Sequence, residues 1–163
     1  RQRVLESPRP GVDFVFSWHG NADLILAIVK LLEDAANADN DVFEVGVKGI
    51  LLVEDSIRYY SNYLPELYKI VLTQSREFLK ESLNEDQKKY RKRSRPKIFL
   101  ATCLEEALAY FRKYGRNLLG VISDVGMVVH KGDDPKTEKL DAGIDLVKVI
   151  REYDPLMPVL LQS

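Results

Sequence analysis

Gly49-Ile50-Leu51-Leu52-Val53-Glu54-Asp55-Ser56 is the stretch that most restricts the fold: five residues without a polar side chain, then two adjacent carboxylates. A strand with one wet face alternates in polarity. A run apolar at every position suits a strand covered on both faces, as in a parallel sheet flanked by helices. The carboxyl ends of the strands in such sheets form the ligand-binding edge, which puts Glu54 and Asp55 where chemistry is done. Two neighbouring acids repel each other, so they are either well solvated or share a cation.

The rest of the chain supplies alternating elements. Residues 13–18 are strand-like; Gly20-Asn21 breaks the run, and Asn21 can cap a helix from about Ala22, where Leu24, Ile25, Ile28, Leu31 and Leu32 recur at helical spacing. Residues 37–40 end that helix, and Phe43, Val45 and Val47 alternate into the central strand. Ser56 can cap a long helix carrying Tyr60, Tyr63, Leu64, Leu67, Ile70 and Val71, with Pro65 as a kink point and a pattern running on through Leu83. The basic run 88–95 reads as a solvated helix end favoured by the helix dipole, with a patch for an acidic partner as the sharper alternative. Further strands are expected at 97–101, 118–123 and 158–162. Helices are marked by Leu104, Ala107, Leu108 and Phe111, and by Ile144, Leu146, Val147 and Ile150; 125–141 reads as a loop. The alternation predicts an α/β class with a doubly wound parallel sheet.

Composition narrows the function. A net charge of −1 makes nucleic acid an unlikely partner, and one cysteine, Cys103, excludes an internal disulfide framework and suits a cytoplasmic setting. No apolar run approaches the ~18–20 residues that span a bilayer, so no membrane role is expected. Trp18 and Cys103 read as packing residues, and His19 and His130 as structural loop histidines.

Three strands end in polar groups: Glu54-Asp55, Asp124 and Ser163. Right-handed crossovers bring the carboxyl ends of parallel strands to one edge, so these groups should converge. Solvated loop acids would explain any one of them; three acids and a hydroxyl at strand ends favour a hard cation such as Mg²⁺, which takes carboxylate and phosphate oxygens. The segments 50–56, 121–127, 142–151 and 157–163 resemble, in order, the first strand, phosphoacceptor strand, third-helix start and fourth strand of bacterial response-regulator receiver domains. The resemblance implies a flavodoxin-like fold over 48–163. Asp124 would take a phosphoryl group from a phosphohistidine. Asp55 would ligate Mg²⁺ directly, Glu54 mainly through water, and Gly126 through its backbone carbonyl. Ser163 would be the switch hydroxyl that senses the phosphoryl group. A histidine kinase or phosphotransfer protein is the implied partner, with a homodimer as the implied assembly.

The sequence departs from the family pattern in a long loop after Asp124, a basic extension of the first helix, and the absence after Ser163 of a fifth strand with its phosphate-binding lysine. The chain therefore reads as a receiver truncated after its fourth strand. Residues 1–47 read as a connector plus a strand-helix unit, either the end of an upstream receiver or a cover for the sheet edge beside 158–162. The whole run is also similar to the N-terminal region of phosphoenolpyruvate-synthase-like proteins of the pyruvate phosphate dikinase type. That similarity implies a regulatory segment attached to downstream enzyme domains. A degenerate receiver acting only in protein interaction is the alternative. An aspartyl-phosphate hydrolase is disfavoured, because Gly126 stands where that class has a second aspartate.

Overall fold

The structure is a computed structural model that describes residues 11–80 and 95–163. Four strands, β1 (Gly49–Val53), β2 (Lys97–Ala101), β3 (Leu118–Asp124) and β4 (Val159–Gln162), form one all-parallel sheet in the order β2-β1-β3-β4. Helices α1 (Asp23–Asp39), α2 (Ile57–Lys80), α3 (Leu104–Tyr114) and α4 (Ala142–Tyr153) alternate with the strands. The α/β parallel class expected from the sequence is the one observed. Among the described residues no helix is long and apolar enough to cross a membrane.

The central strand is apolar throughout because both its faces are covered. Leu51 and Val53 join Phe99, Ala101 and Val121 under α3 and α4, while Leu52 joins Ile98 and Leu100 under α1 and α2. Each α helix offers a stripe at helical spacing: Tyr60, Leu64, Tyr68 and Val71 on α2, and Leu104, Ala107 and Phe111 on α3. Cys103 is buried and caps α3, its sulfur accepting from the Glu106 N–H at 3.4 Å. Pro65 lies inside α2 without ending it.

The region before β1 differs from expectation. Residues 13–18 form no strand and do not pair with β4, whose only described neighbour is β3. The aromatic side chains that suggested a strand pack on a helix instead: Phe16 meets Tyr60 edge-on at 5.6 Å, and Ser17 N–H donates to Ser61 Oγ at 2.9 Å. Trp18 is exposed rather than packed. Phe43 does not lie in a strand; α1 continues into a π-helical turn, Asn40–Glu44, where Phe43 stacks on Tyr114. Gly46, at φ +78°, then supplies the left-handed residue that ends the helical run.

The basic run 88–95 lies outside the described residues except for Arg95, and Arg95 is buried rather than solvated. It pairs through Nη1 (3.1 Å) and Nη2 with the carboxylate of Asp34 on α1. Asp34, fully buried, also accepts from Tyr68 Oη at 2.9 Å and Ile98 N–H at 3.0 Å, and Lys97 Nζ lies 3.4 Å away. One carboxylate thus ties α1, α2 and β2 together.

Candidate metal centre

The site is built at the carboxyl edge of β1 and β3. The Glu54 N–H donates to Ala101 O at 3.0 Å, which extends the sheet ladder one residue past β1 and fixes the backbone that carries both acids. Glu54 Oε1 accepts from Ser56 N–H at 3.1 Å, and Oε2 from Gln162 Nε2 at 3.2 Å. Asp55 Oδ2 accepts from Val128 N–H at 3.0 Å, and Asp124 Oδ1 from Val125 N–H at 2.6 Å. One carboxylate oxygen from each of Glu54, Asp55 and Asp124 lies within 4.8 Å of the others. This donor set fits a hard divalent cation: three oxygen ligands, already crowded, whose repulsion such an ion would relieve.

Electrostatics at the cluster follow from burial. Glu54 is 1% exposed. Burial, reinforced by Asp124 and Asp55, pushes its carboxyl up to about 7, against the opposing hydrogen bonds from Ser56 and Gln162. Asp55 is raised by burial first, and then by Glu138 and Asp124. With chelator present, the folded chain therefore holds a proton on Glu54 that the unfolded chain has released between about pH 4.5 and 7. The folded state binds more protons in that window, so stability falls as pH rises through it, by about 3 kcal/mol. Urea melts across this range should show the decline, and Glu54→Gln should flatten it.

No family profile matches the chain, and comparison with curated proteins and with solved structures found no match.

The frame around the acids is tight. At Gly143, near the start of α4, an added Cβ would lie 2.2 Å from the backbone oxygen of Asp124 and 3.0 Å from Val125 Cα. Its N–H donates to Val125 O at 2.9 Å. Gly143→Ala must displace the end of β3. Loss of about 1–3 kcal/mol is expected, measured by thermal melts.

Asp55, Glu54 and Asp124 are brought together as the strand-end reading requires. Gly126 is buried one residue beyond Val125, and a Cβ there would meet Glu138 Oε1 at 2.1 Å. Ser163 is exposed at the end of β4, and among the described residues its hydroxyl makes no hydrogen bond; the β4 side chain that touches the acids is Gln162. Two site residues were missed from the sequence. Gln162 is signalled only by register, since it pairs with Asp124. Glu138 reaches the site because Met127 and Lys139 form a bridge that folds the 125–141 loop back on itself.

Proposed function

We propose that the chain is a receiver-type phosphoacceptor module, taking a phosphoryl group from a phosphohistidine onto Asp124 with Mg²⁺ and regulating an attached or partner protein. A phosphoenolpyruvate-synthase-like enzyme is the proposed attached partner, and a cytoplasmic histidine kinase or phosphotransfer protein the donor. The observation that carries this reading is the meeting of Glu54, Asp55 and Asp124 at one sheet edge. The strand order β2-β1-β3-β4 supports it, being the first four places of the flavodoxin-like 2-1-3-4-5 arrangement.

The chain's own residues then divide the work. Val125 N–H holds one oxygen of Asp124, leaving the other to attack phosphorus. The new O–P bond forms as the P–N bond to the donor imidazole breaks, and its electron pair stays on the ring nitrogen. Glu54 and Asp55, with the Gly126 carbonyl, would hold the cation, which would neutralise charge on the transferring group. Ser163 would hydrogen-bond the phosphoryl oxygen.

The test is backbone NMR of the chain titrated with Mg²⁺, with and without beryllofluoride. Saturable, Mg²⁺-dependent shifts at Asp55, Asp124 and Ser163 are expected. The second reading, a degenerate receiver used only for interaction, is favoured by Glu138, which brings a further carboxylate beside Asp55. It takes over if Mg²⁺ binds and beryllofluoride does not.

A further inference from the structure

A cavity of about 530 Å³ opens beside the acidic cluster, within the ~300–1,000 Å³ range of small-molecule sites. Its roof is the irregular segment 12–17, and its opposite walls are the first turn of α2 and the loop after β3. The roof is fastened: Tyr60 Oη donates to the Val15 carbonyl, Ser17 N–H bonds Ser61 Oγ, and Phe16 rests on Tyr60. The loop wall is fastened too, through Lys131 Nζ on Glu106 Oε1 at 2.8 Å, while Thr102 N–H donates to Glu106 Oε2 at 2.9 Å.

The lining has two chemistries. Phe14, Phe16, Tyr59 and Val128 make an apolar chamber, and Asp55 and Glu138 line the same cavity. Arg58 also lines it, from the first turn of the 24-residue α2, where the helix dipole is positive, and it makes no ion pair among the described residues. A purely apolar guest would leave Arg58 and the carboxylates unused. A bare anion would be repelled by Asp55 and Glu138 unless a cation lay between.

We propose that this cavity binds a phosphate-bearing small molecule with a compact aromatic or apolar body, its phosphate bridging a divalent cation on Asp55 and the Arg58 guanidinium, its body under residues 12–17. The cation half rests on the reading of Asp55 as a Mg²⁺ ligand; the apolar half rests on the cavity alone.

Phenyl phosphate and inorganic phosphate, each titrated into the chain at saturating Mg²⁺ and followed by backbone NMR over 12–17 and 56–60, test it. Phenyl phosphate is expected to bind about tenfold more tightly than phosphate, as burial of a ring predicts. Arg58→Ala should weaken both by about tenfold, and Tyr59→Ala should remove most of the phenyl advantage without changing Mg²⁺ affinity. Both sites are exposed helix positions where alanine is well tolerated. Equal affinity for the two probes, or a phenyl advantage that survives Tyr59→Ala, overturns the proposal. Beryllofluoride separates it from the phosphoacceptor reading. Labelling of Asp124 without a phenyl preference sinks the cavity alone, and a phenyl preference without labelling sinks the phosphoacceptor alone. Absence of Mg²⁺ binding overturns both.

Discussion

Asp34→Ala is expected to cost about 3–5 kcal/mol, the range for removing one partner of a buried ion pair, and to lower Tm by on the order of 10 °C. The carboxylate is fully buried and satisfies Arg95, Tyr68 and the Ile98 N–H at once, with Lys97 close by. Without it the Arg95 guanidinium stays in a site closed to water, and the buried Tyr68 hydroxyl and Ile98 N–H lose their acceptor. Lys97 keeps Asp41 at 2.5 Å, so the damage falls mainly on Arg95. A double variant, Asp34→Leu with Arg95→Met, is expected to be more stable than Asp34→Ala alone, because both charges leave together. Chemical denaturation of the single and double variants measures this. Equal stability of wild type and Asp34→Ala would show that water reaches Arg95.

Asp124→Asn is expected to abolish acyl-phosphate formation from a phosphohistidine or acetyl-phosphate donor, a loss on the order of 10³-fold or more. The amide can occupy the same space and keep the Val125 N–H bond through its oxygen, so the fold should survive. It cannot supply the nucleophilic oxygen. It also removes one of the charges that raise Glu54, so the Glu54 carboxyl should ionise at lower pH in this variant. Phosphoryl incorporation retained in Asp124→Asn would move the acceptor elsewhere, whereas loss of labelling together with a lowered Glu54 titration, read by carboxyl NMR, ties both effects to one oxygen cluster.

The sheet and its acidic edge were legible because the signals are local. Five apolar residues closing on Glu54-Asp55, and a second strand closing on Asp124, need only the rule that parallel strands share a carboxyl edge. What the sequence did not reveal depends on distant partners. Asp34 lies 61 residues before Arg95, and nothing in either neighbourhood announces the pair. The aromatic run 13–18 was misread because β-propensity records a taste for half-buried surface, and a helix flank offers that as well as a sheet does. Glu138 was hidden in a polar loop whose course is set by a bridge between Met127 and Lys139. Gln162 was overshadowed by the hydroxyl beside it, though strand register places Gln162 opposite Asp124.

Helix α2 has a mechanical consequence. Its 24 residues run ~36 Å at 1.5 Å each, while the five residues of β1 run only ~16 Å. Among the residues whose side chains are described, the last buried one on it is Val71, and Arg76 and Glu77 beyond it are exposed. Its first turn adjoins the carboxylates. A tilt of ~5° about that turn would carry Lys80 ~3 Å sideways, so a small angular change beside the carboxylates becomes a displacement of ångströms at the other end of the helix.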